Sequence, residues 1–204
     1  MTEPAGGAPD AAAFVAEAIA ASIAVKQSLP ALIPDIVRAA DLLTDAYRRG
    51  GKAIFFGNGG SAADAQHLAA ELEHRFVFDR RPLPALALHA NTSTVTAISN
   101  DSDYEELFAR LLRAHARPED VAVAITTSGT SRSVLNAAEV KREIPFRLVA
   151  LTGQNGAPLA RHADVLIAVP SRSTPRVQEA HILIGHVLCE WVERSLFGGA
   201  GPAA

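Results

Sequence analysis

The sequence predicts an α/β fold, a three-layer α-β-α sandwich around a five-stranded, mostly parallel sheet. Three observations carry that expectation. Five short apolar runs, at residues 52–56, 84–88, 121–125, 146–152 and 165–169, have the length of buried strands and alternate with helical stretches. Two of these runs open directly into polar turns rich in glycine, serine or threonine, each followed by a helix. A long, largely apolar helical segment over residues 174–197 closes the pattern. In such sheets ligands gather outside the carboxyl ends of the strands, and both polar turns fall there.

Taken in order, residues 10–49 are rich in alanine and leucine and are interrupted near Pro30 and Pro34, which predicts two helices joined by a short break. Helices of this kind serve oligomer contacts. The first strand, 52–56, runs into Gly57-Asn58-Gly59-Gly60-Ser61, where free backbone N–H groups at a strand-to-helix turn can meet an anion. Ser61 is placed at or near the helix N-cap. In the helix that follows, His67 and Glu71 are four residues apart and share a face, so an imidazole and a carboxylate point the same way. The turn matches neither the dinucleotide glycine fingerprint nor the nucleoside triphosphate loop, which leaves a sugar phosphate as the natural anion.

A strand at 84–88, residues 91–100 and a helical stretch at 104–114 come next. The strand at 121–125 opens into Thr126-Thr127-Ser128-Gly129-Thr130-Ser131 and a helix over 133–142, repeating the first strand-turn-helix design. One hydroxyl suffices for a cap. Four, at Thr126, Thr127, Ser128 and Ser131, point instead to a phosphate held without lysine or arginine. After strands at 146–152 and 165–169, the closing helix carries Gln178, His181 and His186 on an otherwise apolar surface. Polar groups there need partners, and with His67 and Glu71 they resemble a metal or proton-transfer site. Gln178 and His186 are eight residues apart, a rise of about 12 Å. Sharing one ion therefore calls for an irregular start of the helix or for residues from neighbouring subunits. Residues 198–204 read as a frayed tail.

The 204 residues show one composition regime, which predicts a single domain spanning 1–204. A net charge of -3 without a basic run argues against a nucleic-acid surface. Cys189 is the sole cysteine, so neither an intrachain disulfide nor a thiolate metal cluster can form, and its apolar neighbours mark a buried, inert thiol. No apolar run reaches membrane-spanning length, and the first residues lack the pattern of a signal peptide, so the expected location is cytoplasmic.

At these residues the chain resembles the phosphoheptose isomerases of the sugar isomerase (SIS) fold, with a flavodoxin-like sheet. The blocks are GNGGSAADAQHLAAEL from Gly57, SND from Ser99 to Asp101, TTSGTS from Thr126, and RVQEAHILIGHVLCEWVE ending at Glu193, in the family's order and spacing over about residues 12–197. The resemblance implies a homotetramer with interfacial active sites and one zinc per subunit, bound by His67, Glu71, Gln178 and His186. It implies conversion of sedoheptulose 7-phosphate to a heptopyranose 7-phosphate through an enediol, with Glu71 as base and His186 as acid. Substrate contacts carry over to Asn58, Gly59, Gly60, Ser61, Glu71, Asn100, Asp101, Thr126, Thr127, Ser128, Ser131 and Gln178. The commoner family turn is STSGNS, so Thr126 and Thr130 depart from it, and Ser102-Asp103 replaces an aromatic-glycine pair. Two rival readings stand beside this one. One is a non-catalytic adaptor, like the relative that tethers the bacterial replication initiator but lacks the acid/base pair; the other is an isomerase for a different ketose phosphate.

Overall fold

The computed structural model describes residues 10–198, so the chain start read for a signal and nearly all of the expected tail lie outside the described residues. Helix α1 (Ala11–Ser28) is capped by Asp10, whose Oδ1 accepts from the N–H groups of Ala12 and Ala13. The expected break is a single 3-10 turn at Leu29–Leu32, and α2 (Ile33–Arg48) follows at once. Pro30 and Pro34 each sit in the first turn of their segment, where a missing N–H costs nothing. Then come β1 (Ala53–Gly57), α3 (Gly60–Glu73), β2 (Ala85–Ala87), α4 (Thr92–Asp101), a 3-10 turn at Tyr104–Glu106, and α5 (Leu107–His115). The chain ends with β3 (Val121–Thr126), α6 (Arg132–Glu139), a 3-10 turn at Val140–Arg142, β4 (Arg147–Thr152), α7 (Ala157–Ala160), β5 (Val165–Ala168) and α8 (Thr174–Phe197). The expected elements are present with ends shifted by a residue or two. Residues 91–100, whose pattern names no element type, form α4, and α7 was not foreseen, because one turn is too short to show a period.

The five strands pair in the order β2-β1-β3-β4-β5, and every pair is parallel. Alternation along each strand sends side chains to two separate cores. Phe55, Val123, Ile125, Val149 and Leu151 pack against α2, α3 and α8, through Leu43, Leu68, Leu72, Ile184 and Leu188. Ile54, Phe56, Ala122, Ala124, Leu148 and Ala150 face Phe108, Leu112, Val134 and Ala137 of α5 and α6. The three layers are therefore as expected. This strand order has its topological switch point between β1 and β3, where a crevice opens at the strands' carboxyl ends.

One expectation needs correction. Residues 11–48 are long and apolar enough, by length and composition, to cross a membrane. The 3-10 turn divides that run, and Ala39, Ala40, Leu43 and Ala46 bury α2 against the sheet, so α2 is a core helix of the sandwich. By contrast, α1 has no buried residue, and Phe14, Val15, Ile19 and Ile23 stand exposed on it.

Helices α3 and α8 lie side by side and run the same way. Gly60 meets Gln178, Leu68 meets Gly185, the carbonyl of Leu68 meets Cys189, and Phe76 meets Glu193. A Cβ at position 185 would stand 2.6 Å from both methyl carbons of Leu68, so glycine there lets the helices approach. At the far end the Glu193 carboxylate, wholly buried, accepts from Phe76 N at 2.7 Å, Val77 N at 2.8 Å and Arg80 Nε at 2.9 Å. The buried guanidinium of Arg80 also donates to the carbonyls of Glu71 and Leu72, at 2.8 and 2.7 Å, capping the last turn of α3. Every charge in this latch has a partner, which makes its burial tolerable.

His181 departs from the sequence expectation. Instead of joining Gln178 and His186 at a site, it is fully buried, with Nε2 3.1 Å from the carbonyl of Thr152. Burial pushes its pKa down to about 4, against which the Thr152 contact acts weakly. Cys189 behaves as expected: it is buried, and burial raises its pKa to about 12, so the thiol stays protonated and unreactive.

Two outcomes follow. Glu193→Ala leaves Arg80 as an uncompensated buried charge and is expected to lower unfolding stability by about 3–5 kcal/mol in urea titrations; a loss near zero would contradict the latch. His181 stays neutral in the fold down to about pH 4, whereas the unfolded chain takes up its proton below about 6.5. Stability should thus fall as pH drops through that window, by about 1.4 kcal/mol per unit. The His181→Gln protein should lose that part of the pH dependence.

Candidate active site

Three helix N-termini meet at the switch point: Gly59, Gly60 and Ser61 from α3, Ser131 from α6, and Thr174 and Gln178 from α8. With Asn58, Ile125, Thr126, Thr127 and Ser128 they line a cleft of about 330 Å³. No charged side chain lines it among the described residues. An anion there is met by backbone N–H groups, hydroxyls and the positive ends of three helix dipoles. The helix starts at Gly60 with Gly59 as N-cap, so Ser61 is its second residue and is buried, close to the expected cap position. A Cβ at Gly60 would lie 2.3 Å from the Gln178 amide nitrogen, so glycine there leaves room for the Gln178 side chain in its present position.

The two turns are tied together. Asn58 Nδ2 donates to Ser131 Oγ at 2.9 Å and to Ser133 Oγ at 3.0 Å, and Asn58 Oδ1 accepts from the Tyr104 hydroxyl at 2.6 Å. In the second turn Ser128 Oγ accepts from Thr130 N, so the threonine that replaces the commoner asparagine serves through its backbone. Asn100 and Asp101 lie elsewhere. They end α4, exposed, with Asn100 Nδ2 donating to Asp101 Oδ1 at 2.7 Å, and neither lines the cleft.

About two turns along α3 and α8 from the cleft, His67, Glu71 and His186 converge, one ligand atom of each lying within 4.8 Å of the others. His67 Nε2 is 2.8 Å from Glu71 Oε1 and 3.4 Å from His186 Nε2. The Phe76 ring stacks on His186 with centroids 5.3 Å apart, fixing the imidazole plane. Burial, and then the neighbouring His67, hold the His186 pKa below its ordinary value, with Glu71 opposing. His186 is therefore neutral near pH 7, with a nitrogen lone pair to offer. One turn before His67, Asp64 has Oδ2 buried without a partner, and burial raises its pKa while His67 pulls the other way.

The donor set suits a metal. Two imidazole nitrogens facing each other at 3.4 Å cannot both carry protons, and that spacing is the one a tetrahedral zinc with bonds of about 2.0–2.1 Å imposes on its ligands. Gln178 is not at this cluster within one chain. The helix is regular from Thr174 onward, which removes the irregular start considered above, and the Gln178 amide lies against Gly60. Tyr104, Thr174 and Phe76 belong to the site, yet no motif marked them. Tyr104 and Phe76 are ordinary residues whose partners, Asn58 and His186, lie far away in sequence, and Thr174 belongs to the site only by lining the cleft. A charged Glu193 inside an apolar helix was a usable signal, although nothing in the sequence named Arg80 as its partner.

The SIS domain family model matches residues 13–153. The chain is 52% identical over 163 residues to the phosphoheptose isomerase of Rhodospirillum rubrum, covering 80% of this chain and 87% of that protein. To the phosphoheptose isomerase of Mycobacterium tuberculosis it is 55% identical over 157 residues, covering 77% of this chain and 80% of the relative. The phosphoheptose isomerase structure from Neisseria gonorrhoeae superposes with a TM-score of 0.85 at 39% identity, covering 90% of this chain and 99% of that one. The chain belongs to the SIS domain family and, within it, to the phosphoheptose isomerases, which are aldose-ketose isomerase enzymes.

Proposed function

We propose that this protein interconverts sedoheptulose 7-phosphate and a heptopyranose 7-phosphate, with Glu71 as base and His186 as acid. The observation that carries the assignment is the meeting of Glu71 with two imidazoles on the α3–α8 wall whose N-terminal end is an anion cleft. An adaptor needs no such pair, so its presence favours the enzyme. In the forward direction the Glu71 carboxylate takes a proton from C1 of the ketose, and its electron pair forms the C1–C2 double bond. The C2 carbonyl oxygen takes a proton from His186, which completes the enediol. The hydroxyl on C1 then gives up its proton while C2 gains one, leaving the aldehyde at C1 and a hydroxyl at C2. A neutral imidazole can serve as the donor in such a step, and positioned acid and base groups contribute about 10²–10⁴-fold each.

His67 hydrogen-bonds Glu71 and Phe76 stacks on His186, so both reacting groups are held against rotation. The phosphate is assigned to Asn58, Gly59, Gly60, Ser61, Thr126, Thr127, Ser128 and Ser131, the residues of the cleft turns. Gln178 is assigned to both substrate and metal, and Asn100 and Asp101 to the sugar. One zinc per subunit fits His67, Glu71 and His186 and would act as a Lewis acid on the carbonyl. Gln178 then completes the set across a subunit boundary.

A homotetramer with interfacial sites is supported by the apolar surface that one chain leaves uncovered. Phe14, Val15, Ile19 and Ile23 on α1, Ile33 and Val37 on α2, and Leu183, Val187 and Trp191 on α8 are all exposed. Exposed apolar area on this scale marks an association surface. In this reading residues 1–204 act as a single SIS domain, with 10–50 the association segment and 51–197 the sugar-phosphate core. A phosphorylated substrate, which does not cross membranes unaided, favours a cytoplasmic location.

Incubation with sedoheptulose 7-phosphate should yield the aldose, and Glu71→Gln and His186→Ala should each stay folded while losing at least about 10²-fold in turnover. Wild-type rates in either variant would remove that residue from the mechanism. Native mass spectrometry is expected to give an assembly of four 21.4 kDa chains with one zinc each, the metal leaving on chelation. A monomer, or a metal-free tetramer after zinc loading, would overturn that part of the reading.

A further inference from the structure

We infer that Tyr104 is a positioning residue for the phosphate: its hydroxyl sets the Asn58 amide so that Ser131 turns its proton into the cleft. The inference rests on the reading that this cleft holds the substrate phosphate. A phosphate dianion only accepts hydrogen bonds, and no charged side chain lines the cleft among the described residues, so each hydroxyl must donate. Ser131 sits at the N-cap of α6, yet its side chain makes no capping bond. Its oxygen accepts from Asn58 Nδ2 at 2.9 Å and lies 3.3 Å from Ser133 Oγ; with Ser133 as the donor in that contact, the Ser131 proton is left for the cleft it lines.

The second N–H of that amide goes to the buried Ser133 at 3.0 Å. Both donors of Asn58 are thus spent on serines, so its side chain orients the site and its assigned part in holding the phosphate falls to its backbone. An asparagine amide can be turned over by 180° in the same space. Its oxygen would then face both serines, each would donate to it, and Ser131 would lose the proton it owes the phosphate. The Tyr104 hydroxyl, donating to Asn58 Oδ1 at 2.6 Å, selects the productive orientation.

The tyrosine is itself anchored to the helix it serves. Asn136 of α6 donates to the carbonyl of Glu105 at 3.2 Å and to the Glu106 carboxylate at 3.1 Å, holding the 3-10 turn of Tyr104 against α6. Tyr104 is 44% exposed, so its ring is not needed to fill a core.

Tyr104→Phe removes the hydroxyl alone and should leave the melting temperature unchanged. Calorimetric titration with inorganic phosphate, and steady-state kinetics with sedoheptulose 7-phosphate, would be run on the wild type, Tyr104→Phe, Ser131→Ala and the double variant. Tyr104→Phe is expected to weaken phosphate binding and raise KM about tenfold with little change in kcat, the scale of one hydrogen bond to a charged group. The double variant should bind no more weakly than Ser131→Ala, because both changes remove the same donated proton. Wild-type phosphate affinity and KM in Tyr104→Phe, or losses that multiply in the double variant, would overturn the inference. A wild type that binds phosphate through this coupled pair but turns over no sedoheptulose 7-phosphate would sink the functional reading and leave the inference standing.

Discussion

The side-by-side packing of α3 and α8 is the constraint on which the site depends. Residues more than a hundred positions apart come together only because these two helices keep one register along their length. Gly185 allows the approach to Leu68, and the Arg80–Glu193 latch pins the far end. A slip of one residue along α8 would turn His186 by about 100° around the helix axis and away from His67 and Glu71. The latch also holds the carbonyl of Glu71 and the backbone of Phe76, so one buried ion pair supports Glu71, the ring stacked on His186, and the helix end between them. This is a case in which a fully partnered buried charge specifies a geometry that apolar packing leaves free to slide.

The same two helices divide the chemistry. Their N-termini, with that of α6, form an anion cleft whose positive potential comes from backbone dipoles and hydroxyls. The titratable groups lie about two turns away, clear of the strongest part of that field, which falls off within the first turn. In the proposed mechanism this separation lets one part grip a permanently charged group while the other exchanges protons. His181 lies between the two on α8 but is turned into the core, where burial keeps it neutral and out of the proton traffic.

The reacting wall is open in a single chain. The His67 side chain is 47% exposed and that of Glu71 23%, and a site that moves a proton between carbons works better when water is kept out. In the proposed assembly, closure comes from the uncovered apolar faces of α1, α2 and α8. Helix α1 has no buried residue and is tied to α8 by Arg176, which donates to the carbonyl of Ala18 at 2.6 Å, so its apolar face stays open in one chain. In the proposed assembly, folding of the N-terminal segment and completion of the site are one event.

Local signals made much of this protein legible in its sequence. Strand-length apolar runs, the two polar turns and the proline break follow from backbone preferences within a few residues, and they placed the parallel sheet, the anion cleft and the His67–Glu71 pair. Pairing across the chain was not legible. Gln178 and His186 stand on one helix, but only the regular course of α8 decided that the first meets Gly60 and the second meets His67. His181 has the same residue type and the same helix as His186, yet it faces the sheet, because five residues of rotation carry it to the other side. Tyr104, Phe76 and Arg80 belong to no motif, and their roles come from partners 46, 110 and 113 positions away, as tertiary packing alone could decide. Sequence determines what each segment can become through forces that act between neighbours, whereas which groups finally meet depends on packing summed over the whole core.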